Sequence, residues 1–166
     1  PTPTLNNQTS YRLEVTQQVR DDDDDYVRKT YAEACVRAHL SSFISDMPAV
    51  LGRSHLVIAR AGASTVAELS VAGRPSLLIP LANAIDQHQL HNGRKLMDAG
   101  GAWVLEEQNL TATSLAHSLS DLLENPDLLS TVAAGAKSLG MPDATSCLAG
   151  LVQKLAVSPS RCGMSP

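Results

Sequence analysis

Short aliphatic runs alternate with helical stretches along residues 11–105, and that rhythm restricts the fold before anything else does. Residues 55–59 (HLVIA) and 76–79 (SLLI) carry almost no polar face, as strands do inside a parallel sheet with both faces covered. Between them, Ala63–Ala72 reads as a helix stopped by Gly73 and followed by Pro75. Residues 86–99 read as the next helix, Gly100 and Gly101 end it, and residues 102–105 supply a fifth strand. Upstream, residues 11–19 alternate apolar and polar side chains, with Leu13 and Val15 on one face. Five aspartates at 21–25 then lead into Tyr26, Val27, Tyr31 and Ala34 at helical spacing, where a helix dipole tolerates carboxylates. Arg37–Ser41 is the second strand, and residues 46–51 form a helical turn entered through Met47 and Pro48. Strand and helix in alternation predict right-handed β-α-β units, an α/β fold with a parallel sheet.

After residue 105 the pattern becomes helical. Leu115, Leu119, Leu122 and Leu123 mark one amphipathic helix. Leu128, Leu129, Val132, Ala136 and Leu139 mark a second, capped by Asn125 with Pro126 in its first turn, and Leu148, Leu151, Val152 and Leu155 mark a third. Residues 1–10 read as a disordered lead-in and 157–166 as a disordered tail, leaving one domain over 11–156. With 166 residues the chain has length for one ordinary domain. At 43% hydrophobic but only 3% aromatic, its core must be aliphatic. A net charge of −4 argues against a sequence-independent grip on nucleic acid. No apolar run approaches the roughly 18 residues of a membrane span, and no secretory leader is evident, so a cytoplasmic chain is expected. Three scattered cysteines (Cys35, Cys147, Cys162) suit neither a disulfide framework nor a zinc site.

In parallel α/β sheets, ligands sit beyond the carboxyl ends of the strands, near helix N-termini. Three junctions meet that rule. In the first, Ala59 ends a strand, Gly62 permits close backbone approach, and Ser64 and Thr65 open a helix. Unpaired N–H groups there suit an anion such as a diphosphate, and Glu68 lies close enough to accept from both hydroxyls of a ribose. The same turn also serves other chains as a plain packing and capping device. In the second, residues 86–92 (DQHQLHN) cluster amides and imidazoles at a helix start, a donor and acceptor set suited to a neutral polyhydroxylated ligand or to solvent. His88 and His91 lack a third metal ligand at suitable spacing. In the third, residues 43–48 offer backbone groups to the edge of a base, or Ile44 and Met47 close the core. There is no Walker loop, no G-x-G-x-x-G, no G-x-S-x-G and no H-E-x-x-H, and no Ser or Cys stands in a nucleophile context.

Together, residues 60–68 (RAGASTVAE) and 86–92 (DQHQLHN) resemble the MurG family of peptidoglycan N-acetylglucosaminyltransferases, over roughly residues 11–155. The resemblance implies a Rossmann-like parallel sheet forming the C-terminal half of a GT-B glycosyltransferase, with UDP-N-acetylglucosamine as donor. It implies an inverting reaction without cofactor or metal, on a lipid-linked muramoyl-pentapeptide held by the other domain. It places the Ile44 backbone at the uracil edge. Ala63, Ser64, Thr65, Val66, Ala67 and Glu68 would lie along ribose and diphosphate, with Glu68 on the ribose hydroxyls, and Arg60 and Gly62 join them as candidate substrate-binding residues. Gln89 would hydrogen-bond the sugar hydroxyls, and His88 and Asn92 are candidate substrate-binding residues beside it. Ala61 stands where the family often has Ser, and His88 where some members have Gln. A UDP-N-acetylglucosamine 2-epimerase, another GT-B transferase and a non-catalytic nucleotide-sugar module share the same platform. The family's first strand and glycine-rich G-G-S-x-G-A turn have no counterpart, nor does the acceptor domain. The expectation is therefore a truncated donor domain, inactive in transfer by itself, from an enzyme peripheral on the cytoplasmic face of the inner membrane.

Overall fold

The computed structural model describes residues 12–82 and 87–157. Strand β1 (Glu14–Gln18) is followed by a 3-10 turn over the aspartates and helix α1 (Asp24–Glu33), then by β2 (Arg37–Ser41) and α2 (Met47–Arg53). Next come β3 (Val57–Ala59), α3 (Ala63–Ala72), β4 (Ser76–Leu78), α4 (His88–Asp98) and β5 (Ala102–Val104). Three helices close the chain: α5 (Ala112–Leu123), α6 (Pro126–Ser138) and α7 (Ala144–Val157). Among the described residues, no helix is long and apolar enough to cross a membrane. The proposed lead-in at 1–10, the tail from 158, Asp86 and Cys162 lie outside the described residues.

All strand pairs are parallel, as expected, but they fall into two sheets, β1–β2 and β3–β4–β5. Glu14 stands opposite Arg37 in the first, and Ile58, Leu77 and Trp103 align across the second. The strands are shorter than the apolar runs suggest: 14–18 rather than 11–19, 57–59 rather than 55–59, 76–78 rather than 76–79, and 102–104 rather than 102–105. Helix α4 likewise begins at His88 and ends at Asp98, inside the predicted 86–99.

Why β4 matches the buried-strand expectation and β3 does not follows from position. β4 is central and all three of its residues are buried. β3 is an edge strand: Val57 and Ala59 pack on the core, while Ile58, on the opposite face, is 45% exposed. The apolar run at 55–59 predicted coverage on both faces, and the edge position removes it.

The core lies between the second sheet and its crossover helices. Leu51, Ala61, Leu69, Leu78, Leu96, Ala102 and Ala136 form one buried cluster. Each fully buried leucine among them contributes about 2–3 kcal/mol by leaving water. Gly93 lets α4 come close, because a Cβ there would stand 3.2 Å from Val104 Cγ2 and 3.4 Å from the Ala61 Cβ. Helix α3 ends where Gly73 adopts φ 61°, sending its N–H to Ser70 while Arg74 N–H reaches Leu69 O.

The last helix behaves differently from its pattern. The predicted stripe of Leu148, Leu151, Val152 and Leu155 is helical, yet these side chains are 54–68% exposed, so the stripe is not used in this chain's core. Val157, assigned above to the tail, is the last residue of that helix.

Candidate functional site

The turn from β3 into α3 is built from small residues. Ala61 is fully buried, Gly62 is the N-cap in an extended conformation, and Ala63 and Ser64 are exposed at the first turn. Helices α2, α5 and α6 each have a side chain on their first turn: Asp46 accepts from Ala49 N–H, Thr111 from Ser114 and Asn125 from Leu128. Like α1 and α4, helix α3 has no such cap. Its first intrahelical bond runs from Val66 N–H to Gly62 O at 2.9 Å, leaving the amides of Ala63, Ser64 and Thr65 at the open, positive end of the dipole. Thr65 and Val66 are half-buried, whereas Ala67 and Glu68 are exposed on the helix surface.

Helix α4 stands beside this turn. Asn92 Nδ2 donates to Ala61 O at 3.3 Å, fixing the second junction against the first. Gln87, the N-cap of α4, has φ 54°, a left-handed conformation that side-chain-bearing residues seldom adopt. Its carbonyl engages His91 Nδ1 at 3.1 Å. Gln89 is half-buried, and its Oε1 accepts Leu81 N–H at 3.0 Å. His88 is exposed.

Arg60 leaves the end of β3 and turns toward the loop after β4. Nη1 donates to Ile79 O at 3.2 Å and to Pro80 O at 3.5 Å, and Nη2 donates to Glu107 Oε1 at 2.8 Å. The other Glu107 oxygen accepts Ala82 N–H at 3.1 Å. The Arg60 hydrogen bond, aided by that N–H, holds the Glu107 carboxyl below its ordinary range.

The structure thus gathers Arg60, Gly62, Ala63, Ser64, Thr65 and Glu68 on one turn and first helical turns, and links Asn92 directly to it. Gln89 joins through the 79–82 loop. Ile44 lies half-buried in the loop between β2 and α2 and His88 is exposed; among the described residues no hydrogen bond ties the Ile44 backbone or the His88 ring to the gathered group. Sequence reasoning missed Glu107. The signal was available: it follows β5 by three residues, at the carboxyl end of a strand, where the topology rule directs attention.

Comparison with known proteins identifies the family and the fold. The model of the glycosyltransferase family 28 C-terminal domain matches residues 2–148. A UDP-N-acetylglucosamine–N-acetylmuramyl-(pentapeptide) pyrophosphoryl-undecaprenol N-acetylglucosamine transferase of Rhodospirillum rubrum is 47% identical over 145 residues, covering 87% of this chain and 38% of that protein. The protein of the same name from Caulobacter vibrioides is 49% identical, covering 87% of this chain and 40% of its own length. Among solved structures, the Acinetobacter baumannii MurG superposes with a TM-score of 0.82 at 30% identity, covering 92% of this chain and 44% of that one. The spinosyn rhamnosyltransferase SpnG, complexed with thymidine diphosphate, shares the fold alone, at 22% identity over 89% of this chain and 46% of that one, with a TM-score of 0.55. The chain therefore spans about two fifths of the length of the curated relatives it matches. On the family model and these relatives, with the Rossmann-like parallel architecture of a GT-B C-terminal half, the chain belongs to the glycosyltransferase family 28 C-terminal domain family.

Proposed function

We propose that this chain is the donor-binding part of an inverting glycosyltransferase that uses UDP-N-acetylglucosamine and acts on a lipid-linked muramoyl-pentapeptide. The observation that carries the reading is the uncapped start of α3 after β3, with Glu68 exposed on its surface and the amide-bearing α4 tied to it through Asn92. Relatives whose names state this donor and acceptor support the choice of substrates.

In this reading the amides of Ala63, Ser64 and Thr65 receive the diphosphate, and Glu68 accepts from the ribose hydroxyls. The Ile44 backbone meets the uracil edge, and Gln89 donates to the sugar, with His88 beside it. An acceptor hydroxyl attacks the anomeric carbon, the bond to the diphosphate breaks, and UDP leaves. The developing negative charge on the departing diphosphate meets fixed N–H dipoles that need no reorganisation. This chain's residues bind and orient, so their loss acts through donor affinity and placement. The proton of the acceptor hydroxyl passes to a general base, a role not assigned to any of these donor-binding residues.

Calorimetric titration with UDP-N-acetylglucosamine, UDP-glucose and ADP-ribose tests the reading. Saturable binding with preference for the first supports it. Equal binding of all three, or none, overturns it.

A further inference from the structure

The loop after β4 is held from three elements. Arg60, at the end of β3, holds the Ile79 and Pro80 carbonyls, and Glu107, beyond β5, bridges Arg60 to Ala82 N–H. From α4, Gln89 Oε1 takes Leu81 N–H. We propose that Glu107 is a positioning residue for the sugar end of the donor site, fixing residues 79–82 and, through Leu81, the orientation of the Gln89 amide. The inference rests on the donor-site reading above.

A backbone N–H only donates, so Leu81 selects the oxygen end of the Gln89 amide and leaves the NH2 end for other partners. That end gives two donors to sugar hydroxyls. Turning the amide by half a rotation would leave Leu81 N–H facing another donor. Glu107 keeps the choice in force by holding the adjacent Ala82 amide, while Arg60 holds the two preceding carbonyls. The side chains of the Arg60–Glu107 pair are 49% and 36% exposed. Exposed pairs of this kind contribute little to stability, so the consequence of this one lies in loop geometry. The hydrogen bond from Arg60, with that from the Ala82 N–H, holds the Glu107 carboxyl below its ordinary pKa.

The test compares the 166-residue chain with Glu107→Ala and Glu107→Gln, the latter keeping an oxygen for Ala82 N–H. Calorimetry with UDP and with UDP-N-acetylglucosamine is paired with NMR of the Gln89 side-chain amide and hydrogen exchange at Leu81 and Ala82. In Glu107→Ala, UDP affinity stays within about twofold, while the advantage of UDP-N-acetylglucosamine over UDP falls about tenfold, the worth of one misplaced hydrogen bond. The Gln89 amide resonances shift, exchange at Leu81 and Ala82 rises, and Glu107→Gln recovers part of both effects, since its oxygen serves Ala82 N–H while its NH2 faces the Arg60 guanidinium. Equal losses for the two ligands, or an unmoved Gln89 signal, overturn the proposal. If the unsubstituted chain binds neither ligand, the donor-site reading falls, and the NMR signals still decide: a shifted Gln89 amide sustains the positioning role and an unmoved one ends it.

Discussion

Replacing Gly62 with alanine separates a glycine kept for the fold from one kept for a ligand. The residue sits at φ −62° and ψ 151°, a conformation alanine adopts without strain. A Cβ built there meets only Thr65 Oγ1, at 3.6 Å, an ordinary contact. Two small effects on stability oppose each other. Alanine restricts the unfolded chain, worth about 0.4–1 kcal/mol in favour of folding. It is also the poorer helix N-cap, by about 1 kcal/mol. The net change stays within about 1 kcal/mol, and Tm within about 4 °C for a domain of this size. Binding responds otherwise, because the methyl group stands beside the open amides of Ala63 and Ser64. Displacing a phosphate oxygen from one charge-assisted N–H costs about 1.5–3 kcal/mol, or roughly 10–150-fold in Kd for UDP. Calorimetry with UDP and a thermal melt on the same samples give both numbers. Unaltered UDP affinity in a folded Gly62→Ala variant refutes the diphosphate placement. A collapse of Tm shows instead that the glycine serves the fold.

Other substitutions probe different parts of the account. Glu68→Ala lowers UDP affinity about tenfold but leaves the affinity for 2′,3′-dideoxy-UDP, which lacks both hydroxyls, unchanged, with Tm moved by no more than about 2 °C because the side chain is exposed; equal losses for the two ligands would remove Glu68 from the ribose. Ser76 is fully buried in β4, and its hydroxyl has no hydrogen-bond partner among the described residues, so Ser76→Ala stabilises by about 1 kcal/mol in chemical denaturation. Leu96→Ala, at a fully buried position, costs about 2–5 kcal/mol in the same assay. The Glu107 carboxyl titrates below its ordinary 4.5, and Arg60→Met moves it back up by removing the main cause. Because its folded pKa is depressed, the ordering it provides is complete above 4.5 and fades as pH falls through the lower folded value, which NMR of the Leu81 and Ala82 amides follows.

The elements easiest to read from sequence were those with punctuation. Gly73 marked the end of α3 to the residue, and Asn125 with Pro126 marked the start of α6. Strand lengths were harder, because an apolar run records burial and not pairing: Ile79 is buried yet lies beyond β4. The exposure of Ile58 depends on which strands stand beside β3, a tertiary fact that local pattern does not carry. The same holds for α7, whose aliphatic stripe announces a contact without saying where it is made. At the site, the small residues from Gly62 to Thr65 and the amides of α4 were visible as a pattern. The engagement of Arg60 with Glu107 was not, since 47 residues separate the two and no spacing rule joins them.

The central claim is that the open amides at the start of α3 grasp the diphosphate of a UDP-sugar. The most direct measurement is backbone NMR of the chain as UDP-N-acetylglucosamine is added. The account predicts the largest shifts at the amides of Ala63, Ser64 and Thr65, with the Gln89 side chain responding to the sugar nucleotide and not to UDP alone. Saturable binding that leaves those three amides unmoved would contradict it.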